Sequence, residues 1–157
     1  MLKAGQPLPS FGGTLSDGTA WSSEAHRGAL LVVFFYPRDF TSVCTQEACG
    51  FRDLYDVLKK DYGAELIGVS RDSVARHARF KAEHRLPYRL LSDDGSVSKL
   101  FGVARLWGLL PLAKRVTFVA DAQGVLRGVF HHELDADAHL RDVRACLDAI
   151  RGAKAAP

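Results

Sequence analysis

No apolar run in this chain is long enough to cross a membrane. The longest strongly apolar stretch, Ala29 to Tyr36, has the length of a strand. The first residues, Met1-Leu2-Lys3-Ala4-Gly5-Gln6-Pro7, lack the apolar core of a secretory signal. A cytoplasmic location with no membrane partner is the expectation. Cysteine is scarce: Cys44, Cys49 and Cys146 are the only three. So small and odd a number makes a poor disulfide framework and suits a reducing compartment. There cysteines are catalytic, metal-binding or simply buried. Charge of one sign is missing too. The net charge is +3, and 21 basic residues are scattered among 18 acidic ones. No basic stripe marks a nucleic-acid partner. Gly12-Gly13 does not lead into a helix at phosphate-cradling spacing. His131 and His132 are adjacent, so on a strand they point to opposite faces. Cys44 and Cys49 lack a common zinc spacing. No metal, haem or flavin signature is present, and no cofactor is expected.

What remains is an ordinary globular balance, 47% apolar and 25% charged over 157 residues. It fits one domain, residues 1–157, with a single core. The Gly- and Ser-rich start, with Phe11, Leu15 and Trp21 as anchors, predicts a short hairpin. Ala29–Tyr36 reads as a strand buried on both faces, ended by Pro37. Residues 42–60 read as a helix whose apolar stripe is Cys44, Ala48, Phe51, Leu54, Tyr55 and Leu58, closed by Asp61-Tyr62-Gly63. Glu65–Ser70 follows as a strand, and Ser73 caps a helix to about Arg85. A short strand at 89–92 and a short helix at 96–101 come next. Between 103 and 114, Gly108 and Pro111 are expected to break any regular element. A hairpin of 115–120 and 125–131 precedes a last helix, about 137–151. Gly152 is expected to end it, leaving residues 153–157 as a flexible tail. The class is α/β: a mixed central sheet flanked by helices, with an N-terminal hairpin, compatible with a thioredoxin-like fold.

The stretch from Phe35 to Asp53 carries the chemistry. If Thr41 is the N-cap, Cys44 is the third helical residue. Backbone N–H groups of a first turn have no helical partner, and the helix dipole adds positive charge. Both favour thiolate, the nucleophilic form. Taken alone, a cysteine on an apolar stripe is more often a small buried hydrophobe.

Pro37, Thr41 and Cys44 match the pattern Pro-x-x-x-Thr-x-x-Cys, and the segment resembles the active-site loop of peroxiredoxins. The longer run Phe35-Tyr36-Pro37-Arg38-Asp39-Phe40-Thr41, followed by Cys44-Thr45, Glu47-Ala48-Cys49 and Phe51-Arg52-Asp53, is similar to the bacterioferritin-comigratory-protein, or peroxiredoxin Q, branch. Arg115–Asp121 extends the likeness. Ser42-Val43 departs from it, since relatives often have Pro-Gly there. The resemblance implies a peroxidase. Cys44 would attack the peroxide and become a sulfenic acid. Thr41 would hydrogen-bond the peroxide and the thiolate, and Pro37 would shield the site. Arg115 would favour the thiolate and position substrate. Glu47, three residues after Cys44, would orient Arg115, although alone it opposes the thiolate.

The resemblance also makes Cys49 the resolving cysteine. Residues five apart on a regular helix have Cα atoms about 8.7 Å apart. A disulfide needs about 7 Å or less. Residues 42–50 are therefore expected to unwind on oxidation. Cys146 reads as core or half-buried. Hydrogen peroxide and organic hydroperoxides are the implied substrates, with thioredoxin or glutaredoxin as electron donor. A monomer is expected, with a weak dimer as the alternative. The apolar segment 104–114 is open to four uses: covering the active site, favouring organic hydroperoxides, forming a dimer contact, or packing on its own core. The competing function is a redox switch using the same disulfide without turnover. A general disulfide oxidoreductase is disfavoured because Cys-x-x-Cys is absent.

Overall fold

The computed structural model describes residues 1–155. In chain order the elements are β1 (Gly12–Leu15), β2 (Ala20–Ser22), a 3-10 turn (Ser23–His26), β3 (Leu31–Phe35), α1 (Ser42–Tyr62) and β4 (Glu65–Ser70). Then follow α2 (Val74–His84), β5 (Arg89–Ser92), α3 (Ser96–Phe101), β6 (Ala104–Trp107) and β7 (Leu110–Ala113). The last three are β8 (Val116–Ala120), β9 (Leu126–His131) and α4 (Ala136–Ala155).

Every residue of β3 is buried, because it lies in the middle of a seven-stranded sheet ordered β2-β1-β5-β4-β3-β8-β9. β3, β4 and β5 run parallel, and β8 pairs antiparallel with β3. Successive side chains of a strand face opposite ways. Val32 and Phe34 therefore join α1, α2 and α4 in one core cluster, with Phe51, Phe80 and Leu147. Leu31, Val33 and Phe35 join the other, with Trp21, Phe101 and Phe118. Close packing on the α1 side needs Gly68. A Cβ there would stand 2.7 Å from Phe34 Cζ, whose ring stacks on Phe51 at 4.6 Å.

Several local signals act as written in the sequence. Ser73 Oγ accepts from Arg76 N as a helix cap, and Gly63 ends α1 at φ 64°. Two expectations are corrected. Residues 104–113 form a regular antiparallel hairpin. Gly108, at φ 61°, supplies the left-handed turn residue between its strands. Pro111 is tolerated because a two-stranded sheet leaves half its N–H groups unpaired. The last helix does not stop at Gly152 but continues to Ala155. Residues 156–157 of the expected tail lie outside the described residues.

The register of β3 with β8 brings two distant parts of the chain to one end of the sheet. Phe35 pairs with Val116. Arg115 thus emerges where β3 releases the chain toward α1.

Candidate active site

After β3, residues 37–41 cross to α1 in a loop fixed from below. Asp39 is fully buried. Its carboxylate accepts from Tyr36 Oη at 2.6 Å and pairs with His77 Nδ1 at 2.6 Å. Its N–H donates to Asp72 Oδ2 at 2.9 Å, and its carbonyl accepts from Arg76 Nη2 at 3.0 Å. Phe40 takes the left-handed conformation, φ 66°, and packs against Phe80 and Arg76. Asp39, Asp72 and His77 have the residue types of a metal site and lie close together. Their polar atoms are already engaged with one another and with Ser70, Arg76 and the Leu91 carbonyl.

This anchored loop delivers Thr41 as the N-cap of α1, in extended conformation. The Thr41 hydroxyl does not cap the helix or reach Cys44. It donates to the Arg38 carbonyl at 2.8 Å. The first helical bond, Thr45 N to Thr41 O, is 2.8 Å. Cys44 is then the third helical residue, 1% exposed. Pro37 is half-buried at the rim of an apolar groove that Thr41, Leu106, Trp107 and Leu110 also line. In that hairpin only Leu112 and Ala113 are buried, while Leu106, Trp107 and Leu109 are 69%, 75% and 97% exposed. The segment therefore spends Leu112 and Ala113 on the domain's own core and leaves Leu106, Trp107 and Leu109 outside it.

Arg115 joins the site from 71 residues away. Its Nη2 donates to Cys44 Sγ at 3.2 Å, and its Nη1 to Glu47 Oε1 at 3.1 Å. Its Nε donates to the Glu133 carbonyl at 2.8 Å, and its backbone N–H to Glu133 Oε1 at 3.3 Å. The guanidinium is thus held at both ends. Burial works against its charge, but Cys44 and Glu47 outweigh burial and raise its pKa. Glu47 is wholly buried. Burial pushes its carboxyl up to about 8, which Arg115 only partly offsets.

Two participants carried no signal in the sequence. Glu133 braces Arg115 from the β9–α4 connection. His139, on α4, is buried with Nε2 3.6 Å from Glu47 Oε2. It donates from Nε2 to the His132 carbonyl at 2.8 Å and accepts at Nδ1 from Thr117 Oγ1 at 2.9 Å, the arrangement of a neutral ring. Burial lowers its pKa to about 4. Neither residue belongs to a local motif, so no spacing pointed to it.

The three cysteines are free. Cys49 lies half-buried within the intact α1. Cys146 lies elsewhere, against β9 at Gly128, and burial raises its thiol pKa. His131 and His132 go to separate partners, Glu133 and Asp142.

A model of the AhpC/TSA family matches residues 4–129. A chloroplastic peroxiredoxin Q of Oryza sativa subsp. japonica is 40% identical over 151 residues, covering 95% of this chain and 68% of the relative. Among solved structures, peroxidoxin BcpB of Mycobacterium tuberculosis superposes with a TM-score of 0.88 at 35% identity, covering 96% of this chain and 99% of that one. The bacterioferritin comigratory protein of Xanthomonas campestris, whose structure concerns alkyl peroxide reduction, gives 0.80 at 31% identity, covering 88% of this chain and 90% of that one. These neighbours share the expected thioredoxin-like architecture. No helix among the described residues is long and apolar enough to cross a membrane. With the family match spanning most of the sequence, and peroxiredoxin Q proteins similar along nearly its whole length, the chain belongs to the AhpC/TSA family as a peroxiredoxin, a thiol-dependent peroxidase.

Proposed function

We propose that Cys44 is the peroxidatic nucleophile and Cys49 its resolving partner, in a cycle closed by thioredoxin or a similar dithiol donor. The observation that carries this reading is the Arg115 Nη2 contact to Cys44 Sγ, 3.2 Å, in the first turn of α1. The cation and the free N–H groups of that turn both favour a thiolate. The sulfur attacks the terminal peroxide oxygen and the O–O bond breaks. The leaving oxygen takes a proton and departs as water or an alcohol, and Cys44 becomes a sulfenic acid. The Cys49 thiol then attacks that sulfur, expelling water and forming the disulfide. A dithiol donor returns two electrons.

Arg115 orients the peroxide and stabilises charge on it. Thr41, whose hydroxyl is exposed at the mouth, turns from the Arg38 carbonyl to the bound peroxide. Pro37 limits the access of water. The groove of Pro37, Leu106, Trp107 and Leu110 supports acceptance of organic hydroperoxides as well as hydrogen peroxide, the alkyl part lying on apolar surface. A single domain acting as a monomer in the reducing cytoplasm fits three free cysteines. The plant relatives are themselves chloroplastic.

The test is peroxide turnover with thioredoxin and its reductase by wild type, Cys44→Ser and Cys49→Ser. Cys44→Ser should consume no peroxide. Cys49→Ser should react once and recycle poorly. Consumption by Cys44→Ser would defeat the assignment of the nucleophile. Full turnover by Cys49→Ser would defeat that of the resolving residue.

A further inference from the structure

Among the described residues, Arg115 is the one cationic side chain hydrogen-bonded to Cys44 or to Glu47. Its two amino groups meet both, Cys44 Sγ at 3.2 Å and Glu47 Oε1 at 3.1 Å. Were both anionic, two buried negative charges would share one positive charge, and each would weaken the other's claim. The surroundings of Glu47 say which gives way. The residue is fully buried, and its Oε2 has no hydrogen-bond partner among the described residues. The nitrogen 3.6 Å from it, His139 Nε2, already directs its hydrogen to the His132 carbonyl. A bare carboxylate oxygen in such a place is costly, and a neutral acid far less so.

We propose that Glu47 rests as the neutral carboxylic acid, leaving the charge of Arg115 to the Cys44 thiolate, and that loss of this proton limits the reaction at alkaline pH. Glu47 is then a positioning residue with a protonation requirement. This deepens the assignment of Cys44 as nucleophile and rests on it. It also resolves a conflict in the sequence, where a carboxyl three residues after the nucleophile ought to oppose it.

Among the described residues, few titratable or charged groups face Glu47. They are Cys44 on α1, Arg115 before β8, Glu133 after β9, His139 on α4 and Tyr88 before β5. Glu133, although partly buried, is held below the ordinary carboxylate range by His131, the Arg115 N–H and Arg105, so it stays charged. His139, down at about 4, stays neutral. Burial, aided by Glu47, holds Tyr88 well above the usual phenol range. Burial takes Glu47 itself up to about 8. Of Glu47, Arg115, Glu133, His139 and Tyr88, it is Glu47 that changes charge just above neutrality.

The experiment compares wild type with Glu47→Gln, which has no carboxyl proton to lose. The rate of the first peroxide step is measured from pH 5 to pH 9.5. Wild type should climb, then fall roughly tenfold between about pH 8 and pH 9.5 as the acid ionises. Glu47→Gln, whatever its absolute rate, should climb to a plateau without the fall. An alkaline fall that persists in Glu47→Gln, or a wild-type plateau extending to pH 9.5, would overturn the proposal. Infrared spectra of the reduced protein at pH 7 should show a carboxylic-acid carbonyl band that Glu47→Gln lacks, and identical spectra would also overturn it. The infrared arm uses no peroxide, so it stands or falls apart from the reaction assigned to Cys44.

Discussion

Replacing Tyr88 with Phe should speed formation of the Cys44–Cys49 disulfide about fivefold. The two cysteines stand five residues apart on an intact α1, where their Cα atoms are too distant to be bridged. Closing the bond means unwinding residues 42–50, and Tyr88 is among the side chains that hold this segment in place. Tyr88 is fully buried, and its hydroxyl donates to the Ala48 carbonyl at 2.6 Å from outside the helix. Its ring packs on Phe34 and Tyr55, contacts that Phe would keep. The substitution therefore removes little beyond one buried hydrogen bond, worth about 1 kcal/mol. At about 1.4 kcal/mol per factor of ten, that shifts the balance toward the unwound form by about fivefold. The assay is one equivalent of peroxide, an alkylating quench at intervals, and mass spectrometry of the 44–49 linkage. Global stability should fall by about 1 kcal/mol in urea melts. A folded Tyr88→Phe protein that forms the disulfide no faster than wild type would refute the reasoning. So would amide exchange across residues 42–50 that is equally slow in reduced and oxidised protein.

Acid should unfold the protein partly through His139. Its lowered pKa stabilises the fold above about 6.5, and this contribution is lost as pH falls toward about 4. The gap corresponds to roughly 3 kcal/mol, so urea melts of His139→Gln should lose less stability than wild type between pH 7 and pH 4, and parallel losses would contradict the linkage. His77→Ala strips Asp39 of its buried partner and should cost about 3 kcal/mol in the same melts. Because the loop hangs from Asp39, the rate of the first peroxide step should drop as well, and a full-rate variant would show that the anchor does not matter. Paired replacement of Trp107 and Leu110 by Ser should raise the KM for a long-chain alkyl hydroperoxide by about tenfold, with a smaller change for hydrogen peroxide. Equal effects on both substrates would remove the groove from substrate recognition.

What could be read along the chain was what neighbouring residues decide together. β3 declared itself as a continuous apolar run bounded by Pro37. The stripe from Cys44 to Leu58 declared the buried face of α1, and Gly63 and Ser73 marked helix ends because backbone geometry there favours those residue types. The position of Cys44 in a first turn, and its match to a known motif, came from the same short range. The hairpin at 104–113 was missed for the complementary reason: Gly108 and Pro111 oppose regular structure in general but fit a tight turn and an unpaired strand edge.

The electrostatics of the site came only with the tertiary structure. Cys44 and Arg115 are 71 residues apart, and the pairing of Phe35 with Val116 brings them together. His139 and Glu133 enter from the last third of the chain, and Asp39 finds His77 across 38 residues. Whether Glu47 is acid or carboxylate depends on how much water the packed elements exclude and how many partners they leave to Oε2. Periodicity and capping act over a few residues and are written locally. Desolvation and the sharing of one cation between two acids are set by which distant segments end up in contact, and only the folded chain determines that.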